Sequence, residues 1–562
     1  MKKIIYLSIA LCCFLFSSCS DFLKEENWVD VEKSKFYNNA QEAETVLLGA
    51  YRNLVTEGAY GYHLSILFNL GTDLSQVNDP GNSSSWRMAA HNSFNSTLGE
   101  IETTWKTLYA AVYDVNDFLE RCSAKIDEWE TVADRNLGVV YIAEARALRA
   151  MLYFELVRRF GNIPLMTSTA QSKQHPSTFV QADPVDVYRL IEEDLLYAVN
   201  TLPYSCSDTY RADNRYRFSK GAAMGLLTKV YATWAGYPLN DTSKWEDAAK
   251  MAQKLIYSGK HDLLPEYETL WKNTCNGIWD PTESLIEISM YSPTAAGGAS
   301  DPCGRIGKWN GVKTSSVAGV RGRCAANVNA VHTFVLEWRD AKHAKDLRRD
   351  LSIANYKYDD DKVLLVKGKS DSEQTAINND ADKNKKQKEK QTYTPAKWDI
   401  QKYVEEGKGL INDDKSNVNW YFLRYADVLL LYAEALNEWK GGPTDEAYAA
   451  INKVRRRGYG NPSNTSVCDL SGMSQDEFRQ AIKDERAFEL AFEGHRRMDL
   501  VRWGIYYETV QETDNALYEW WTGSESYNYD VAKNTVKGKH ELLPIPLREK
   551  DLCTKFEQNP NW

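Results

Sequence analysis

The sequence predicts a mainly α-helical fold, a tetratricopeptide-like scaffold of helical hairpins with an irregular, loop-rich face and a few minor short β-strands. Three observations predict it. From Ala143 to Phe160, the residues Ala145, Leu148, Leu152 and Leu156 recur every three or four positions, the spacing of one apolar helix face. Two later stretches read as copies of one helix–turn–helix unit: Phe218 to Ala235 with Trp245 to Tyr257, and Tyr421 to Trp439 with Glu446 to Arg457. Between Pro265 and Asp399 this periodicity fades into glycine-rich turns (Gly297, Gly298, Gly304, Gly307, Gly311) and β-like runs at Leu285 to Ile288 and Val363 to Val366.

At the N-terminus, Lys2 and Lys3 precede a thirteen-residue apolar run from Ile4 to Phe16. A membrane-spanning helix needs about 20 such residues, so the run has the length of a signal-peptide core. It ends in Ser17-Ser18-Cys19. Two small residues before a cysteine resemble the bacterial lipobox, which makes Cys19 the expected lipidation site and residues 1–18 a lipoprotein signal peptide. Ser20, Asp21, Lys24, Glu25 and Glu26 follow as a polar tether. Two or more acyl chains give stable anchoring.

The body expected from 19 to 562 divides into an N-terminal helical part to about 264, a loop-rich insertion over 265–400 and a C-terminal helical part over 401–562. A chain of 562 residues exceeds one small core. Its net charge is −10, and −12 once Lys2 and Lys3 leave with the leader. Nucleic acid is therefore an unexpected partner, since it calls for a basic footprint. Aromatic residues make up 12%, with 17 Trp and 33 Tyr, a supply of amphipathic rings that suits sugar stacking and helical cores alike.

In the first helical segment, Glu144, Arg149, Glu155 and Arg159 interrupt the apolar face before Asn162 and Pro164 stop it. In the two hairpin units, Gly236 to Thr242 and Gly441 to Thr444 form the turns. Ala222, Ala223, Ala426 and Ala433 allow the helices to approach closely, as in repeats of about 34 residues. Lys383 to Lys390 is a basic run behind Asp359-Asp360-Asp361, read as a solvated loop. Asp514 to Lys539, with Trp520, Trp521, Tyr527 and Tyr529, reads as a second irregular stretch.

Catalytic signatures are absent. There is no HExxH, no GxSxG elbow and no GxxxxGK[ST] loop, and Gly304 to Lys308 reads as a plain loop. The histidines show no ligand spacing, so neither metal nor cofactor is expected. Of the cysteines beyond Cys19, none forms CxxC, and one bridge among Cys275, Cys303 and Cys324 is left open. The densest polar cluster runs from Glu485 to Gly504. Glu485, Glu489 and Glu493 recur every four residues beside Arg486, Arg496, Arg497 and Asp499. Alternating opposite charges favour a structural ion-pair network between packed helices over a poised catalytic acid.

Several blocks, in order, carry a family resemblance. They are Cys19; Trp105, Tyr109 and Asn116; Glu144 to Ala150 through Phe160 to Pro164; Val187-Tyr188, Ile191, Asp194-Leu195 and Leu202-Pro203; and Arg217 to Ala223. The C-terminal half adds Leu423 to Asp427, Tyr432 to Ala435, Ile451-Asn452, Val454-Arg455, Arg457, Glu485-Arg486, Phe492 to Arg496, Leu543 to Pro546 and Gln558 to Pro560. Together they resemble the SusD/RagB family of Bacteroidetes outer-membrane nutrient-binding lipoproteins. The resemblance implies a non-catalytic, lipid-anchored protein on the outer leaflet of the outer membrane. It would pair with a SusC-like TonB-dependent transporter and capture an oligosaccharide or, in some relatives, a peptide. The runner-up is a surface glycoside hydrolase or peptidase, and the third reading is a pure protein-interaction scaffold.

The family's ligand sites lie outside these blocks, so candidates come from chemistry. Sugars stack their C–H faces on Trp or Tyr and pair their hydroxyls with Asp, Asn, Gln and Arg. Two loops combine both residue classes: Asp73, Gln76, Asn78 and Trp86 in the first, and Trp279, Tyr291, Trp309 and Arg321 in the second. For each Trp the competing reading is core packing or transporter contact.

Overall fold

In the computed structural model, residues 36–78, 81–205, 215–291, 304–314, 323–359, 362–365, 393–405, 414–460, 468–520 and 529–562 are described. Residues 1–18, Cys19, Cys303, Arg321, Trp521 and the Lys383 to Lys390 run lie outside them. The principal helices are α1 (Ala40–Tyr51), α2 (Ser85–Ala90), α3 (Gly99–Lys125), α4 (Val132–Phe160), α5 (Pro184–Thr201), α6 (Lys220–Trp234), α7 (Lys244–Tyr257) and α8 (Tyr267–Cys275). They continue as α9 (His332–Trp338), α10 (Tyr425–Lys440), α11 (Asp445–Gly458), α12 (Gln475–Glu489), α13 (Arg496–Arg502) and α14 (Tyr506–Trp520). Neighbours pack in series, α3 on α4, α4 on α5, α5 on α6, α6 on α7, α7 on α10 and α10 on α11. Both expected hairpin units, α6–α7 and α10–α11, are links in that series. None of the described helices is long and apolar enough to cross a membrane.

Two of the charges that interrupt α4, Glu144 and Arg149, tie it to neighbouring segments, while Glu155 and Arg159 pair with each other within it. Thr131 caps the helix by accepting from the Asp134 N–H at 3.0 Å, and Gly161 ends it in a positive-φ conformation. Within it, Arg149 donates to Asp194 of α5 at 2.8 Å and to Asn116 of α3 at 3.0 Å, while Glu144 accepts from Arg217 at 2.9 Å. A single buried Arg thus registers three helices. On α6, small residues set the packing distance: a Cβ at Gly221 would lie 2.1 Å from the His261 ring, and one at Gly225 would lie 2.9 Å from Leu423.

Among the described residues, eight short strands pair antiparallel into four two-stranded sheets. They are β1 (Ser75–Val77) with β3 (Val328–Ala330), β2 (Ser284–Ile288) with β8 (Trp420–Arg424), β4 (Ile353–Ala354) with β7 (Thr394–Pro395), and β5 (Tyr356–Asp359) with β6 (Lys362–Leu365). Two sequence expectations shift here. The apolar run from Tyr421 was expected to be helical throughout, but Trp420 to Arg424 is extended and ladders onto β2, and the helix begins at Tyr425. A Trp-Tyr-Phe-Leu run fits a buried strand at least as well as a helix. The stretch from Asp514 was expected to be irregular, yet α14 runs on to Trp520, because Val510, Thr513 and Leu517 bury one face. Cys275 and Cys324 are separate buried thiols, so no bridge joins that pair.

Behind β2 and β8 lies a charge lattice that is buried except for the partly exposed Arg455. Arg424 donates to Glu493 at 2.7 Å, Glu283 at 2.7 Å and Glu489 at 3.0 Å. Arg457 reaches Glu283 at 2.9 Å and Glu489 at 2.6 Å. Arg348 reaches Asp346 at 2.8 Å, Glu485 at 2.6 Å and Glu489 at 3.1 Å. Lys397 joins Glu493 at 2.7 Å, and Arg455 joins Glu485 at 2.7 Å. Five cations (Arg348, Lys397, Arg424, Arg455, Arg457) therefore face five anions (Glu283, Asp346, Glu485, Glu489, Glu493). Burial raises the Glu489 pKa, but Arg457, Arg424 and Arg348 outweigh it and hold the carboxyl down at about 2. Glu493 lies beyond the end of α12, where Phe492 and Gly494 adopt positive φ. The structural ion-pair reading of this segment is what the geometry shows.

Removing one partner of a buried pair strands the other, at about 3–5 kcal/mol. Arg424→Met is expected to lose that much in urea unfolding, and a loss under about 1 kcal/mol would mean the lattice contributes little. Glu287 tests the opposite sign. Burial raises its pKa to about 7 against the bonds from Asn419 and Ser284. A raised carboxyl favours folding below its unfolded pKa and loses that contribution as pH rises through about 7. Glu287→Gln should therefore raise the melting temperature at pH 8 and leave it nearly unchanged at pH 5.

Candidate functional site

The loop that reads in sequence as a plain glycine-rich turn carries the most ligand-like surface among the described residues. Its backbone is fixed from several sides. The Arg305 N–H donates to the Gly61 carbonyl at 2.8 Å, the Gly307 N–H to Asn310 Oδ1 at 2.8 Å, and the Ser416 N–H to the Gly304 carbonyl at 2.8 Å. Gly307 has φ 74°, and a Cβ there would meet Ile400 at 2.6 Å, so only glycine fits. The Val328 N–H donates to the Trp309 carbonyl at 3.2 Å, which joins the loop to β3.

This frame presents Trp309, half-buried, against two other rings. Trp86 of α2 meets it edge-on at 5.2 Å between ring centroids, and Tyr62 meets it at 4.8 Å. The Arg305 guanidinium lies 4.7 Å from both the Tyr62 and Trp309 rings, and Arg87 lies 4.8 Å from Trp86. Two carboxylates edge the platform. Asp414 accepts from Trp309 Nε1 at 2.7 Å and pairs with Arg305 at 3.3 Å, while Glu57 pairs with Arg305 at 2.7 Å. Their side chains are 49% and 52% exposed, so both carboxylates reach the surface. The Tyr62 hydroxyl is buried without a hydrogen-bond partner, and burial pushes its pKa well up.

The structure gathers some of the candidates and separates others. Trp86 and Trp309, 223 positions apart, are in contact. Asn78 donates its N–H to the Asn327 carbonyl at 3.0 Å beside Val328, and its side-chain oxygen is buried without a partner. Tyr291 is 70% exposed and follows Met290, whose side chain would lie 3.1 Å from a Cβ on Gly304. Two candidates are committed elsewhere. Both Asp73 oxygens accept from Arg496, at 2.6 Å and 3.0 Å, and Gln76 is 5% exposed in β1 opposite Asn329. Strand pairing and the partly buried Arg496 account for them. Trp279 sits apart, against Tyr216 at 6.3 Å. Trp520 is half-buried with the His332 ring at 3.9 Å.

Sequence reasoning missed Tyr62, Arg305, Asp414, Glu57 and Arg87. Arg305 and Tyr62 each stand beside a glycine in a tight turn, a weak signal for exposed chemistry. Nothing local marks Asp414 or Glu57. The described residues hold no cluster of three or more His, Cys, Asp or Glu side chains that could take a metal ion. Glu287, the carboxyl pushed up to about 7, is 4% exposed and lies beneath the surface rather than in a cleft.

Comparison with known proteins gives concordant matches. A family model described as "SusD family" matches residues 336–562, and one described as "Starch-binding associating with outer membrane" matches residues 21–232. The crystal structure of a SusD homologue from Bacteroides thetaiotaomicron is 62% identical, with a TM-score of 0.90 over 96% of this chain and 100% of that one. A SusD-like protein of Formosa agariphila is 24% identical over 97% of this chain and 95% of its own length. A laminarin-binding SusD-like protein is 24% identical, with a TM-score of 0.66 over 94% of this chain and 100% of that one.

Since the loop around Gly307 positions Trp309, Gly307→Ala is expected to cost about 1–3 kcal/mol and to shift the tryptophan fluorescence. An unchanged melting temperature and emission spectrum would show that the loop tolerates a Cβ there.

Proposed function

This chain belongs to the SusD family, and from that premise we propose that it is a cell-surface glycan-binding protein that captures an oligosaccharide on the Trp86–Trp309–Tyr62 platform. One observation carries the reading: two half-buried indoles and a tyrosine converge with Asp414, Glu57 and Arg305 at one edge. A pyranose offers apolar C–H faces and equatorial hydroxyls, and rings edged by carboxylate and guanidinium groups match both. Asn78 and Tyr291 extend the same surface in this reading, and Arg321 belongs to the same stretch of sequence. The laminarin-binding neighbour and the starch-binding family description support a glycan over a peptide as the ligand class.

The protein would act at the outer membrane, tethered through a lipid on Cys19 and facing outward. It would pass its ligand to a SusC-like TonB-dependent transporter. The lipobox-like Ser17-Ser18-Cys19 and the outer-membrane wording of the family description support that placement. Ligand would be held and released unchanged. The two carboxylates at the platform are bonded to Arg305 and Trp309 and act as acceptors for hydroxyls. Neither sits in an apolar pocket of the kind that prepares a general acid.

Calorimetry with a panel of α- and β-glucans, other polysaccharides and peptides, on the chain from Ser20 onward, tests this reading. Binding of a glycan without breakdown products is expected, with Trp309→Ala and Trp86→Ala each losing about 2 kcal/mol, roughly 30-fold in affinity. Degradation of the ligand, or full-strength binding by both variants, would refute it.

A further inference from the structure

Trp279 lies apart from the platform, on the turn that leads from α8 to β2. That turn is held from several sides. The Ile278 N–H donates to the Asn273 carbonyl at 2.9 Å, and the Tyr216 hydroxyl donates to the Gly277 carbonyl at 2.8 Å. The Asn276 side chain donates to the Tyr403 carbonyl at 2.7 Å and accepts from the Glu405 N–H at 2.9 Å. Tyr216 itself sits at φ 59°. A tyrosine in the left-handed region is uncommon, and such a conformation persists where surrounding contacts impose it.

The turn displays a half-buried indole beside a half-buried phenol ring, with centroids 6.3 Å apart and planes at 59°. Ile278 next to them is 43% exposed. Unlike Trp86 and Trp309, none of these three side chains packs against the hydrophobic core. The Trp279 indole N–H has no acceptor among the described residues and is not buried. Asp280 uses one carboxylate oxygen to accept from the Thr282 N–H at 2.9 Å; its other oxygen has no donor among the described residues and is not buried either. The surface thus repeats the chemistry of the platform: an indole, a phenol and a carboxylate. It also shares the platform's frame. Thr274 of α8 donates to the Asn419 carbonyl at 2.8 Å, on the segment that carries Asp414 into β8.

On the basis of the platform reading, we propose that Trp279 and Tyr216 form a second contact for the same glycan chain, so that a polysaccharide is held at two points. The two rings supply apolar faces for sugar C–H groups, while Asp280 and the indole N–H supply an acceptor and a donor for hydroxyls. Because both contacts stand on one frame, binding at the second is intramolecular once the first is filled, and it strengthens the hold only on chains long enough to span them. A trisaccharide bound at the platform gains nothing from Trp279.

The test is calorimetry on the chain from Ser20 onward, with laminarin and amylopectin as polymers and laminaritriose and maltotriose as their short counterparts. Trp279→Ala is expected to weaken polymer binding about tenfold and to leave trisaccharide binding unchanged. Trp279→Phe, which keeps a ring, should stay within about threefold of the unsubstituted chain. Trp309→Ala should weaken polymer and trisaccharide alike. Undiminished polymer binding by Trp279→Ala, an equal loss for the trisaccharide, or no binding of either polymer would overturn the second contact. Trisaccharide binding undiminished by Trp309→Ala would instead refute the platform, so the two failures are told apart.

Discussion

Glu489 and Arg424 hold the C-terminal half of this protein together. Glu489 is fully buried at the end of α12 and accepts from Arg424, Arg457 and Arg348, which come from β8, α11 and the segment before β4. Each cation is in turn shared with another buried carboxylate, so no charge in the lattice stands alone. Geometry of this kind can offset the large desolvation penalty of buried ions. It also fixes register, since sliding any one element by a residue would strand several charges together. The N-terminal helices are pinned in a similar way, by Arg149 between Asp194 and Asn116 and by Glu144 with Arg217.

That rigidity reaches the surface through β8. The chain entering this strand carries Asp414, which meets Trp309, then Ser416, which binds the Gly304 and Ile306 carbonyls, and then Asn419, which binds Thr274 and Glu287. Arg424, at its far end, enters the charge lattice. One extended segment therefore links the buried ions to the aromatic platform, and a platform set on a rigid frame loses little entropy when it binds.

The helical hairpins were legible because their information is local. Apolar residues at three- and four-residue intervals, a Ser or Thr cap and a Gly or Pro turn are all read within one window, and Ser219, Gly441 and Thr444 take those capping and turn roles in the structure. The start of α10 was misread because Trp420 to Leu423 is an unbroken run of large rings and Leu, and periodicity does not separate such a strand from a buried helix. The ionic character of the Glu485 to Asp499 segment was legible in its alternating charges. Its partners were not, since Arg424 and Arg348 lie 65 and 141 positions from Glu489.

The site was legible in its aromatic residues and hidden in its polar ones. Trp86 and Trp309 stand out as large rings in glycine- and serine-rich loops. Asp73 and Gln76 carry the same polar signal, but an ion pair with Arg496 and the β1–β3 ladder take them up. Arg305, Asp414 and Glu57 become a set only when three distant segments close around Gly61 and Gly304. The most direct measurement of the platform's role is a crystal structure of the complex with the tightest-binding oligosaccharide. The expected result is a sugar ring with its C–H face on Trp86 or Trp309 and its hydroxyls on Asp414, Glu57 or Arg305. Density for the sugar at Tyr216 and Trp279, or against the helical scaffold, with the platform bare, would contradict it.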